Sequence, residues 1–141
     1  MKLMLISLNT VIFLFLSGLH FYWLTKNPVN DFAVIPETNE GSLVFKPGTV
    51  VTFVVALGLL MFAVITLGNS DFLENWMNQN IIHYGTLGIA VVFLLRAIGD
   101  FKYVGIFKTV LKTEFANNDT HYFVPLCLWL SVVSFYLYFS K

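Results

Sequence analysis

The sequence predicts an all-α integral membrane protein built as a four-transmembrane-helix bundle, and three observations carry that prediction. Of 141 residues, 57% are hydrophobic and only 11% charged, where a soluble domain carries roughly a quarter charged. Mean hydropathy is +0.78. That is more apolar surface than so short a chain can hide, because about 30% of the unfolded-state surface stays exposed at this length. Finally, four mostly apolar runs of about 20 residues, enough to cross a hydrocarbon core about 30 Å thick, stand between polar breaks.

The runs are Leu3 to Leu24, Thr49 to Leu67, Ile81 to Ile98 and Tyr122 to Phe139. None carries a charge in its interior until Arg96, near the end of the third. Lys2 before the first run has the look of a signal peptide, but the apolar stretch continues to Trp23 and Leu24 without a small-x-small cleavage site, so it reads as a retained helix. No stretch repeats with a period of 20 to 50 residues. Residues 1–141 therefore read as one four-span domain.

The connections differ in character. Loop one, Thr25 to Gly48, contains Pro28, Pro36 and Pro47, which forbid a continuous helix. Phe32 to Ile35 and Leu43 to Phe45 flank the turn-rich Glu37, Thr38, Asn39, Glu40 and Gly41, a pattern compatible with a short β-hairpin on the membrane surface. Loop two, Gly68 to Asn80, has Asp71 and Glu74 but no Lys or Arg. Loop three, Gly99 to His121, holds Asp100, Lys102, Lys108, Lys112, Glu114 and Asp119. Its apolar residues interleave with lysines, as in a segment lying in the interface with lysines near acidic headgroups. Counting bases near the helix ends puts loops one and three in the cytoplasm and both termini outside, although Lys2 argues the other way.

Several functions are excluded. Eight Lys plus Arg balance eight Asp plus Glu, so no basic face exists for nucleic acid. The single Cys127 rules out an intrachain disulfide and a cysteine zinc cluster. No phosphate-binding Gly-rich loop, nucleophile elbow or zinc-protease motif occurs. A three-histidine metal site is not expected, since His83 lies at the opposite end from His20 and His121; two histidines with Asp100 or Asp119 have no diagnostic ligand spacing, so no metal is assigned and the cofactor is unknown.

The polar residues inside the spans are the informative ones. Stepping about 100° per residue, Asn9, Thr10, Ser17 and His20 share one stripe of the first span. Such a stripe packs against other helices through hydroxyl and amide groups, while His20, its only titratable member, reads either as an interfacial residue beside Trp23 or as an acid/base group. In the third span Gly85, Gly88, Val92, Arg96, Gly99 and Tyr103 fall near one face, small enough in part for a close helix approach. Arg96 costs about 2.5–3.5 kcal/mol in hydrocarbon and should snorkel or find a counter-charge; Asp100, four residues on, is the nearest candidate. Asn117, Asn118, Asp119 and Thr120 are good caps for the fourth span, which Pro125 either starts or kinks.

The run Arg96-Ala-Ile-Gly-Asp-Phe-Lys-Tyr-Val-Gly-Ile-Phe-Lys108 resembles a signature of small bacterial four-helix membrane proteins catalogued as domain of unknown function number 3995. The likeness extends through Thr113 to Ala116, Asn118 to Thr120 and Pro125 to Leu128, and includes Gly18 to Trp23 and the prolines of loop one. It implies a four-span fold in a bacterial membrane and brings no activity with it.

Since loops one and three emerge on one side, His20, Trp23, Arg96, Asp100, Tyr103, Asp119 and His121 are expected at one end of the bundle. The reading this favours is a polar pocket for a lipid-like or other amphipathic molecule, with or without enzymatic activity. There Arg96 meets an anionic group, Asp100 and Asp119 orient it, Trp23, Tyr103 and His121 line the site, and His20 is the candidate acid/base. The alternative is a structural or interaction subunit of a membrane complex whose polar residues only join helices. A small transporter is weaker, for want of an inverted repeat.

Overall fold

The computed structural model describes residues 1–25 and 34–140. Its order is α1 (Lys2–Thr25), α2 (Thr49–Leu67), a single 3₁₀ turn (Asp71–Leu73), α3 (Gln79–Ile98), a short α4 (Glu114–Asn118), a wide turn (Asp119–Phe123) and α5 (Val124–Phe139). Four helical stretches are long and apolar enough to cross a membrane, the last running unbroken from Glu114 to Phe139. This is a multi-pass membrane protein.

The helices associate as two pairs, α1 with α2 and α3 with α5, which then pack together. Each pair is clasped in the same way. Ser17 donates its hydroxyl to the Ala56 carbonyl at 2.8 Å, and Ser131 donates to the Ala90 carbonyl at 2.8 Å. Both alanines are fully buried. A small side chain lets the backbones approach until a hydroxyl reaches a carbonyl, the kind of contact that holds helices together where lipid offers no hydrophobic drive. Phe13, Leu59, Ala63, Ile89, Phe93, Ala97, Cys127 and Leu130 form the shared core.

Of the stripe on α1, Asn9, Thr10 and Ser17 are buried. Asn9 accepts a hydrogen bond from the Trp129 indole at 3.1 Å, tying α1 to α5. Gly85 lies against Ile65 of α2, whereas Gly88 faces open space, so only the first permits a close approach.

Two local expectations need correction. The helix carrying the fourth span begins at Glu114, because Thr113, not a residue of the 117–120 cluster, accepts the capping hydrogen bond, from the Ala116 N–H at 3.0 Å. The helix continues through Pro125 by way of a wide turn just before it, where the Val124 N–H reaches back five residues to the Asp119 carbonyl. A proline ring collides with the carbonyl four residues earlier in a regular helix, and a widened turn relieves that. The loop-one hairpin shrinks to a tight turn with one antiparallel bridge, Glu37 to Leu43, and no strand among the described residues. Val44 donates to the Pro36 carbonyl at 2.9 Å and Thr38 to Ser42 at 2.8 Å. Phe32, Ala33 and Pro28 lie outside the described residues.

Candidate functional site

At the membrane end shared by loops one and three, the structure builds two separate features. The first is a charge cluster centred on Asp119. The extra residue in the wide turn rotates α4 relative to α5 by about 100°, and Asp119, at the junction, is fully buried. One carboxylate oxygen accepts from Arg96 Nη2 at 2.9 Å; the other accepts from Lys108 Nζ at 3.1 Å and from the Gly105 N–H at 2.8 Å. The Lys108 ammonium has three protons and three acceptors: Asp119, the Gly105 carbonyl at 3.1 Å and Thr120 Oγ1 at 2.7 Å. Thr120 in turn donates to the Ala116 carbonyl at 3.0 Å.

The pairing expected between Arg96 and Asp100 is therefore replaced by one between Arg96 and Asp119. Asp100 is occupied otherwise. Gly99 turns the chain out of α3 at φ +85°, Phe101 follows at φ +63° and Gly105 closes the loop at φ +91°. This curl aims the N–H groups of Lys102, Tyr103 and Val104 at one Asp100 oxygen, at 3.0, 2.7 and 2.9 Å. Slight burial pushes the Asp100 carboxyl up, but the three N–H groups outweigh it and hold its pKa below the ordinary 3.8. The two glycines have no substitute, since a Cβ on Gly99 would run into the Val104 carbonyl and one on Gly105 into the Ile98 carbonyl. The Ile106 N–H then returns to the Ala97 carbonyl at 2.9 Å, sealing the loop onto the end of α3.

Sequence reasoning missed Lys108. It was grouped with Lys102 and Lys112 as a headgroup anchor, yet its side chain is only 3% exposed. Nothing in the sequence separates the three lysines; Lys102 and Lys112 are exposed as expected. Tyr103 is half-buried with the Lys102 ammonium 5.0 Å from its ring centre. His121 is exposed, its Nδ1 bonded to the Asn117 carbonyl at 2.9 Å.

The second feature is a hollow of about 260 Å³ between α1, α2 and loop one. His20 and Trp23 from α1, Ile35 and Pro47 from loop one, and Thr52 and Val55 from α2 are among its walls. The His20 and Trp23 rings lie 4.8 Å apart, and His20 Nδ1 bonds the Leu16 carbonyl at 2.8 Å. Val51 and Val55 are also exposed on the outer face of α2, so the hollow opens toward lipid. Arg96, Asp100, Tyr103, Asp119 and His121 are not among its lining residues. The single convergent site expected from sequence is thus two: a charge cluster and a separate, mostly apolar hollow. Among the described residues no group of three His, Cys, Asp or Glu side chains is placed to hold a metal.

Residues 13–134 match the family described as protein of unknown function (DUF3995), and the chain belongs to that family. No curated protein and no solved structure matches it.

Proposed function

We propose that this protein binds a lipid-like, amphipathic molecule in the hollow beneath loop one, in the cytoplasmic membrane of a bacterium. The observation that carries the reading is the hollow itself: an apolar-walled space at the end of two membrane helices, open to lipid through Val51 and Val55, with His20 the one titratable side chain among its described lining residues. Binding sites for small molecules are commonly concave and apolar with a few polar groups placed to orient the ligand. Trp23 and the apolar walls take the body of the molecule, and His20 meets its polar end, where it is also the group able to move a proton.

The charge cluster has a different task in this reading. Asp119 is bonded by both Arg96 and Lys108, Arg96 keeping one buried nitrogen, Nη1, without a partner, and Lys108 locks loop three against α4, so these residues, with Asp100 and Tyr103, fix the membrane end on which the hollow depends. The excess of bases in loops one and three puts that end in the cytoplasm.

Mass spectrometry of small molecules retained by the detergent-purified protein tests the proposal. A stoichiometric amphiphile on the wild type and its loss from Val55→Trp, which fills the hollow, is the expected result. Equal retention by a well-folded Val55→Trp variant overturns it.

A further inference from the structure

The hydrogen-bonding state of His20 narrows the class of ligand, an inference that rests on the binding role just proposed. The Leu16 carbonyl can only accept, so at 2.8 Å His20 Nδ1 must be the donor. In the neutral ring the remaining nitrogen, Nε2, then carries a lone pair and accepts. Thr52 is biased in the same sense, because its hydroxyl donates to the Gly48 carbonyl at 3.3 Å and keeps acceptor capacity for another partner. Trp23 and Thr49 supply an N–H and an O–H in the same lining.

Among the described residues that line it, none is Lys, Arg, Asp or Glu. Of the other described cations of this membrane end, Arg96 and Lys108 are bonded to Asp119, and Lys46, between the lining Phe45 and Pro47, is exposed. A carboxylate or phosphate headgroup inside the hollow would meet no counter-charge among those lining residues, and a quaternary ammonium would leave the acceptors without a proton to bind. Burying such a charge unpaired is expensive. A hydroxyl fits, since it gives one proton to His20 Nε2 and accepts from Trp23 or Thr49.

Size supplies an independent limit. At roughly 30 Å³ for a water-sized group, about 260 Å³ accommodates a headgroup and the first stretch of a chain rather than a whole lipid. The rest of the tail leaves past Val51 and Val55 along α2. We propose that the hollow selects an uncharged, hydroxyl-bearing amphiphile, a long-chain alcohol or alkylphenol, over anionic and zwitterionic lipids.

Equilibrium binding of tritiated 1-tetradecanol to the full-length, detergent-solubilised protein at pH 7.5 provides the test, with its methyl ether and tetradecanoate as competitors. Saturable binding is expected. The ether, which lacks the donated proton, and tetradecanoate, which brings a charge, should each compete at least fivefold more weakly, about the worth of one net hydrogen bond. His20→Ala should lose about fivefold for the alcohol and nothing for the ether. If the ether matches the alcohol on the wild type, or tetradecanoate outcompetes it, the hydroxyl assignment falls while the hollow remains a binding site. If none of the three binds saturably, the binding role itself falls.

Discussion

The two ends of the α1–α2 and α3–α5 pairs lie on the same side of the membrane and have opposite interiors. Under loop three the space is filled by charge: one carboxylate, two cations and a backbone N–H, with every Lys108 proton bonded. Under loop one the space is left open, and none of its described lining residues is Lys, Arg, Asp or Glu. The comparison teaches that Lys108 and Asp119 are here used up in holding the fold, whereas Arg96, bonded to Asp119 through Nη2, keeps a buried Nη1 without a partner. What the hollow offers a ligand is a histidine with one ring nitrogen already bonded.

If the filled end is structural, breaking it should unfold the protein, whereas filling the open end should not. Asp119→Asn leaves Lys108 and Arg96 without their anion, and thermal unfolding in detergent should show a loss of about 3–5 kcal/mol. Combining Lys108→Met with Asp119→Leu removes both the buried ammonium and its counter-ion, and should be far milder than Asp119→Asn, because replacing a buried pair with apolar residues is often near neutral. A double variant as unstable as the single would mean that Gly105 and Arg96 depend on Asp119 more than Lys108 does.

Next in size is Gly99→Ala. It forces a side chain into a positive-φ position against the Val104 carbonyl, and a cost of about 1–3 kcal/mol is expected in the same unfolding measurement. Val55→Trp sharpens the contrast from the other side. It should change stability by no more than about 0.5 kcal/mol, as substitutions on an exposed face usually do, while abolishing ligand retention.

A further small effect concerns Asp100. Its folded pKa lies below the unfolded value, so the stabilisation it gives loop three is complete above the ordinary aspartate range and fades as pH falls through the lowered value. Because the group is largely exposed, solvent screening keeps the contribution below about 1 kcal/mol. The melting temperatures of wild type and Asp100→Asn should differ at pH 6 and converge once the pH drops well below 3.8, the ordinary aspartate value. A gap that persists in acid would assign the difference to something other than the carboxylate.

The bundle was legible in the sequence because the length and polarity of a membrane crossing are imposed by the bilayer. Thr49 to Leu67 is recovered to the residue, and the first and third spans are off by one or two positions at their ends. The fourth starts eight residues early, at Glu114, because a helix may continue through polar residues once it leaves hydrocarbon, and hydropathy is silent there. Arg96 and Asp119 were legible as residues of one membrane end. Which carboxylate Arg96 would choose was not, since that depends on the register shift at Asp119–Phe123 and on Gly99 turning Asp100 away. The hollow was illegible for a related reason. It is made of space between ordinary apolar residues, and among its walls only His20 and Trp23 are of a type and position that sequence marks as site candidates.

The charge cluster also bears on how the chain reaches its place during synthesis. Lys108, Gly105 and Asp119 lie within 15 residues of one another, so Lys108 can meet its counter-ion as soon as the chain has emerged slightly past Asp119. Arg96 joins from the end of a helix already made. Neutralising loop three is therefore a nearly local event that accompanies entry of the last helix, and the burden of a bare cation falls on the brief interval before Asp119 leaves the ribosome.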